Sequence, residues 1–422
     1  MKIALITYEF YPRSGGISHA LTSMCKSFQD KEHKIYVFNP FYKAIRIFNI
    51  LDKNIYKIKD ILLLLQKKKF FHISLMSIWS IIKTKKISST DKLMIILNLL
   101  LKPPLLITTL KNIISLYPYF KKFDFDIIFG GTVGERVLPF IITLSVIFNK
   151  KVVAFAHGNE FLVRTPFSLK TYYLRNLDHI ILSNRRMRSL IKRIHHLKDS
   201  NMSVVNLGLN VEDYILKENR EDLRREFSIS RGEFILLSVG RHVSRKRFDL
   251  VIKALSLIRK FKPDLNIKYI LIGDGPVTSK LKELTKALDL EKTVQFLGRT
   301  DNLIRNKYLK LSDVFVMPSV EEKESIEGFG IVFLEANYFK LPVIGSYSGG
   351  VGEAIVNEET GLLIKPNDVN DLKEKILYLY DNKDKRILMG NRGFERVVRE
   401  FSTEKIYHDY INLFSNLLQN QD

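Results

Sequence analysis

The stretch Phe234-Ile235-Leu236-Leu237-Ser238-Val239-Gly240-Arg241-His242-Val243-Ser244-Arg245-Lys246-Arg247-Phe248 decides the fold class. Its first six residues are a short, mainly apolar run closed by glycine, the pattern of a parallel strand buried on both faces. After the loop, Phe248, Val251, Ile252, Leu255 and Ile258 recur at helical spacing. Tyr269-Ile270-Leu271-Ile272 then reads as a second strand, ending in Gly273-Asp274-Gly275-Pro276. Val294 to Leu297, Val314 to Met317 and Pro342 to Ile344 continue the series. Strands alternating with helices predict an α/β domain around a parallel sheet.

The same alternation precedes this stretch. Ile3 to Ile6 predicts a strand, a loop with Gly15-Gly16 follows, and Ser18 to Phe28 predicts a helix with Ala20, Leu21, Met24 and Phe28 on one face. Ile35 to Phe38, Ile127 to Phe129, Val152 to Phe155 and Ile180 to Leu182 are further buried strands. A charged stretch, Lys217 to Arg225, separates the two series. The expected organisation is an N-terminal Rossmann-like domain over 1–212, a C-terminal one over 213–400, and a terminal helix at 401–422 returning to the first.

The chain has 422 residues, 46% of them hydrophobic and 27% charged, which suits folded domains and excludes disordered or collagen-like classes. Its one cysteine, Cys25, excludes an intrachain disulfide and a cysteine metal cluster, and is expected in a buried helix face. The formal net charge is +22. Residues 41–123 hold sixteen Lys and Arg against three Asp, a net charge of +13, with little glycine and no clear alternation. They are expected to form a basic helical insertion. No stretch offers ~20 consecutive apolar residues for a membrane span, and the N-terminal run is too short for a signal peptide. The expectation is a cytoplasmic protein, soluble or peripheral on a membrane.

Ligands of open α/β sheets bind at the carboxyl ends of strands, so the loops there hold the candidates. Arg241 and Lys246 share one strand-to-helix loop and suit a multiply charged anion such as a diphosphate; a solvated basic loop is the alternative. Ser325-Ile326-Glu327-Gly328-Phe329-Gly330 precedes a helix beginning near Ile331. There the glycines allow close backbone approach, and the helix start offers unpaired N–H donors. Glu327 and Glu335, eight residues apart, suit two sets of sugar hydroxyls; the alternative is a helix with an acidic cap. Glu335, however, stands in an apolar run where an unpaired carboxylate is costly. His157 follows a strand at its carboxyl end, as a ligand contact or a structural histidine. Asp124-Phe125-Asp126 directly precedes a strand and reads as structural, so no metal is expected.

Glu327 and Glu335 around Gly-Phe-Gly resemble the Glu-x7-Glu motif of glycosyltransferase family 4. Gly15-Gly16, His157-Gly158-Asn159-Glu160, Val239-Gly240-Arg241 with Lys246, Gly273 to Pro276, Val294 to Gly298 and Asp313 to Ser319 resemble its other segments, in order. The resemblance implies a retaining, metal-independent enzyme of the GT-B fold, with two Rossmann-like domains facing across a cleft. It implies a nucleoside-diphosphate sugar as donor substrate, with no cofactor. By the same resemblance Arg241 and Lys246 hold the diphosphate and Glu335 the ribose. Glu327 and the backbone of Phe329 and Gly330 hold the transferred sugar. Gly15 and Gly16 let the first loop approach the donor. His157 contacts the sugar in a positioning and electrostatic role, and Glu160 is an acceptor-side or structural contact. The catalytic candidates are thus His157 and Glu327.

Two positions depart from the family pattern. Arg247 stands where glycine is frequent, and Asn206-Leu207-Gly208-Leu209-Asn210 replaces Pro-Asn-Gly-Val-Asp. The implied acceptor is a glycan or lipid-linked glycan in cell-envelope synthesis, with an anionic membrane surface as a further partner. The competing reading is a non-catalytic basic protein that binds anionic membrane or nucleic acid through 41–123. No nucleic-acid motif accompanies the charge, and such a protein has no use for the Glu327/Glu335 pair.

Overall fold

Each strand-first series of the sequence becomes its own parallel sheet. The structure is a computed structural model and describes residues 1–7, 16–28, 31–39, 44–45, 56–57, 83–84, 87–162, 170–323 and 325–419. The chain divides into two units, Met1–Asn206 with Ile406–Asp422, and Leu207–Lys405.

In the first unit the strands are β1 (Lys2–Ile6), β2 (Lys34–Phe38), β3 (Ala44–Ile45), β4 (Tyr56–Lys57), β5 (Ile127–Gly130), β6 (Lys151–Ala156), β7 (His179–Leu182) and β8 (Met202–Val204). Six form a parallel sheet in the order β2-β1-β5-β6-β7-β8, while β3 and β4 pair antiparallel on their own. The order reverses at β1, so the switch point lies between β1 and β5. The strands are apolar and buried along nearly their whole length, as a sheet covered on both faces requires.

The 41–123 stretch is described only in part. It contains the helices Ser89–Leu101 and Pro103–Phe123. The second precedes β5 and belongs to the unit's covering layer: Ile113, Leu116 and Phe120 are buried, and the Phe120 ring lies 4.9 Å from Phe125 and 5.1 Å from Phe148. The lysine cluster Lys67-Lys68-Lys69 and the leucine run from Ile61 to Leu65 lie outside the described residues. Cys25 is buried in the helix Gly16–Ser27.

The second unit carries β9 (Phe234–Val239), β10 (Ile267–Ile272), β11 (Val294–Gly298), β12 (Val314–Met317), β13 (Val343–Ser346) and β14 (Gly361–Ile364). All pair in parallel, in the order β11-β10-β9-β12-β13-β14. Here the order reverses at β9, which brings the loops leaving β9 and β12 side by side. The backbone joins them directly, since Val320 N–H donates to Arg245 O at 2.8 Å.

The units divide at Asn206/Leu207. Leu209 N–H donates to Phe401 O at 2.8 Å, and Leu209 bridges Ser402, which ties residues just before 212 into the second unit. The helix Thr403–Gln419 begins in the second unit and from Ile406 on belongs to the first. Its Phe414 ring lies 5.6 Å from Phe129 of β5, and Tyr407 lies edge-on to Phe28 at 5.1 Å.

Candidate functional site

The switch point of the second sheet is where the charged candidates collect. Lys246 ends a 3₁₀ turn, Ser244–Lys246, after β9, and Glu327 lies in the loop after β12. Both side chains are buried. Lys246 Nζ lies 2.6 Å from Glu327 Oε2 and 3.1 Å from Met317 Sδ, at the end of β12. Arg245 donates to the same Oε2. Burial alone pushes the Glu327 carboxyl up, but the adjacent Lys246 and Arg245 charges prevail and bring it down to about 2. Burial pulls Lys246 below the usual lysine range despite Glu327.

Backbone geometry holds Glu327 in this place. Gly350 N–H donates to Glu327 O at 3.0 Å, and Gly349 has φ +58°, where a Cβ would meet that same carbonyl oxygen at 2.6 Å. Gly330 caps the helix Ile331–Tyr338 in the left-handed region, φ +79°, with a would-be Cβ 2.6 Å from the Phe333 ring. These are positions where only glycine fits without strain. Phe329 is buried between them, its ring 5.7 Å from Phe401.

Glu335 sits within the helix Ile331–Tyr338, 4% exposed. The cost of a lone buried carboxylate is met by partners from elsewhere in the same unit: Tyr214 O–H donates to its Oε1 at 2.8 Å, and Arg305 Nη1 lies 3.7 Å from that oxygen. Arg241 is exposed at the start of the loop after β9, and its guanidinium makes no ion pair or hydrogen bond among the described residues.

The first unit's switch point, between β1 and β5, gathers the other candidates. His157 follows β6, is buried, and stacks on Phe155 with ring centroids 4.3 Å apart. Its Nε2 lies 2.8 Å from Gly131 O, and Gly131 N–H in turn donates to Ile6 O of β1 at 2.8 Å. Thus three strand ends fix the imidazole. Glu160, in the short helix Asn159–Leu162, accepts the backbone N–H of His157 through Oε1, and its carbonyl accepts from the buried Lys170. Burial lowers the Lys170 ammonium despite the nearby Glu135 and Glu160 charges. Gly16 is the first residue of the helix Gly16–Ser27; Gly15 lies outside the described residues.

The structure therefore brings Lys246, Glu327 and Gly330 together in the second unit, leaves Glu335 on its own partners in the helix that follows, and brings His157 and Glu160 together in the first unit. Arg245, Tyr214 and Arg305 were not among the sequence candidates. Adjacency to Lys246 was a signal for Arg245; nothing in the sequence linked Tyr214 to Glu335. Asp126 Oδ2 accepts the Lys2 backbone N–H at 2.6 Å, and Asp124 pairs with Lys150 at 2.8 Å. Among the described residues no group of three or more His, Cys, Asp or Glu is placed to hold a metal ion.

The family model for glycosyl transferases group 1 matches residues 219–396, inside the second unit. The chain is 29% identical over 271 residues to N-acetyl-alpha-D-glucosaminyl L-malate synthase of Bacillus anthracis, covering 64% of this chain and 68% of that protein. It is 33% identical over 189 residues to the GDP-mannose-dependent monoacylated alpha-(1-6)-phosphatidylinositol monomannoside mannosyltransferase of Corynebacterium glutamicum. That match covers 44% of this chain and 48% of the relative, so it spans about half the relative's length. In fold, the chain is similar to Anabaena Alr3699/HepE, solved in complex with UDP and glucose, with a TM-score of 0.68 at 15% identity over 99% of this chain and 100% of that one.

Proposed function

The chain belongs to the GT-B glycosyltransferases, and we propose that it is a retaining enzyme that moves a sugar from a nucleoside-diphosphate donor to a glycan or lipid-linked glycan of the cell envelope. The observation that carries this is the buried Lys246–Glu327 pair between the loops that leave β9 and β12, with Arg241 exposed on the first of those loops and Glu335 in the helix that follows the second. In this reading Arg241 and Lys246 take the diphosphate. Breaking the sugar–phosphate bond leaves negative charge on that group, and fixed cations aimed at it lower the barrier. Glu335 takes the ribose. Glu327, with the backbone of Phe329 and Gly330, takes the transferred sugar. His157 positions the sugar and acts by its dipole. Gly15 and Gly16 lie along the donor phosphates, and Glu160 holds the His157 loop.

The reaction is a substitution at the anomeric carbon. The bond from that carbon to the diphosphate oxygen breaks, the bond to the acceptor hydroxyl oxygen forms on the same face, and the acceptor proton passes to the leaving phosphate. The leaving-group charge is met by the two cations, so no metal is assigned. A panel of uridine, guanosine and adenosine diphosphate sugars in thermal-shift assays tests the reading: a donor at ~100 times its dissociation constant stabilises by ~2.7 kcal/mol. No stabilisation by any member of the panel defeats it. Product analysis showing inversion defeats the retaining assignment.

We place this activity in the cytoplasm, at an anionic membrane surface. The +13 charge of residues 41–123 supports the membrane contact, as do Leu93 and Ile107, which are 65% and 51% exposed on the helices Ser89–Leu101 and Pro103–Phe123. Among the described residues no helix is long and apolar enough to cross a membrane. Co-sedimentation with anionic vesicles, weakened by salt and by charge reversal of Lys67, Lys68 and Lys69, is the expected result. Protein left in the supernatant at low salt rules the contact out.

A further inference from the structure

Glu335 has one oxygen committed and one to spare. Oε1 receives the Tyr214 hydroxyl at 2.8 Å and lies 3.7 Å from Arg305 Nη1. Oε2 makes no hydrogen bond or ion pair among the described residues. The helix does not impose this division, because a glutamate side chain has three rotatable bonds. The neighbours impose it.

Tyr214 is itself held firmly. It ends the 3₁₀ turn Val211–Tyr214, is buried, and packs its ring 5.7 Å from Tyr338 and 6.2 Å from Phe339. Arg305 is held from behind. Its Nη2 donates to Asn306 Oδ1 at 3.1 Å, Asn306 Nδ2 donates to Asp213 O at 2.9 Å, and the guanidinium lies 5.8 Å over the Tyr214 ring. Two separate elements therefore grip the same carboxylate oxygen. Burial, and then the Glu335 charge, keep the phenol protonated well beyond its ordinary range, so it remains a donor.

We propose that Tyr214, supported by Arg305, is a positioning residue that commits Glu335 Oε1 and so reserves Oε2 for the hydroxyls of the donor's ribose, setting a preference for ribose over deoxyribose. The inference rests on the reading of Glu335 as the ribose-binding carboxylate. A ribose diol presents two O–H donors and needs an acceptor with free lone pairs, which is what Oε2 offers. A carboxylate free to rotate would meet that diol at an entropic cost; one fixed beforehand does not.

Tyr214→Phe removes a single oxygen atom and keeps the ring packing. Calorimetry with UDP and GDP, each beside its 2′-deoxy and 3′-deoxy counterparts, reads the effect in the full chain, with ligand-free melting as the check on folding. In the nucleotide the wild type binds, the variant is expected to weaken the ribose form about fivefold to thirtyfold and to leave at least one deoxy form unchanged. Equal weakening of ribose and deoxy forms means the hydroxyl only supports packing, and overturns the proposal; so does unchanged affinity throughout. Glu335→Gln separates the two layers. If that variant loses ribose preference while Tyr214→Phe keeps it, Tyr214 is misassigned and the ribose reading stands. If Glu335→Gln keeps full preference, the ribose reading fails and the proposal falls with it.

Discussion

Lys246 and Glu327 form a buried ion pair, Nζ to Oε2 at 2.6 Å, between the loops that leave β9 and β12. Arg245 completes it on the same oxygen. The pair matters because the proposed roles put a phosphate on Lys246 and a sugar on Glu327. The carboxylate pairs with the cation, so a diphosphate bound on Lys246 must share it.

That competition separates two variants. Glu327→Gln removes the negative charge but keeps the shape, so Lys246 is released to a diphosphate. Free nucleoside diphosphate should bind more tightly to this variant, while sugar transfer falls by about 100-fold or more, as when one fixed polar contact to the transition state is lost. Titration and steady-state kinetics read the two effects. Weaker nucleotide binding contradicts the competition.

Arg241 and Lys246 should fail in different ways. Arg241 is exposed and its guanidinium makes no ion pair or hydrogen bond among the described residues, so Arg241→Ala should leave the melting temperature unchanged. It should lower nucleotide affinity by about 1.5–3 kcal/mol, the worth of a hydrogen bond to a charged group. Lys246→Ala should lower both, because it strips a partner from a buried carboxylate. A stable Lys246→Ala protein melting like wild type would show that Arg245 alone satisfies Glu327.

The pair also predicts an acid dependence. The Glu327 carboxyl is held at about 2, against 4.5 for an ordinary glutamate. Its folded value is depressed, so its stabilising contribution is complete above about 4.5 and is lost as the pH falls from there toward 2. Wild type should therefore lose more melting temperature than Glu327→Gln between pH 6 and pH 3. Parallel loss in the two proteins sinks this account of the pair.

Gly330→Ala tests the cradle. The residue sits at φ +79°, and a Cβ would stand 2.6 Å from the Phe333 ring. Left-handed strain alone costs about 1–2 kcal/mol, and the ring must move as well. A lower melting temperature and weaker donor binding are expected; a neutral result in both would mean the helix start can shift freely.

His157→Ala should depress turnover while leaving free nucleotide affinity unchanged, since the residue lies in the first unit and the nucleotide contacts are assigned to the second. Loss of nucleotide affinity would move His157 onto the diphosphate. Chelator should leave wild-type turnover intact, and activity restored only by manganese would require a metal site.

Much of this was legible in the chain itself, because buried parallel strands announce themselves locally. Phe234 to Val239 and Val314 to Met317 are apolar runs closed by loop residues, and they are the strands observed. The loop after each strand, with its glycines, cations and carboxylates, is equally local. The helix Pro103–Phe123 was not legible as a covering helix. Its apolar residues run almost all around it, so Ile113, Leu116 and Phe120 carry no clean stripe, and only their packing on Phe125 and Phe148 assigns the buried face.

By itself the sequence determined the central strands of both sheets, though not the edge strands β8 and β14 or the short pair β3 and β4, along with which loops carry charge and that Glu335 needed a partner. Tertiary structure alone decided who the partners are. Lys246 and Glu327 are 81 residues apart, and Tyr214 and Glu335 are 121 apart. Hydrophobic periodicity reaches only across a few turns of chain, whereas Lys246 meets Glu327 because β12 crosses back to lie against β9, and Tyr214 meets Glu335 because the turn Val211–Tyr214 packs on the helix Ile331–Tyr338. Sheet order is a property of the whole packed unit, and it is what set Lys246 beside Glu327.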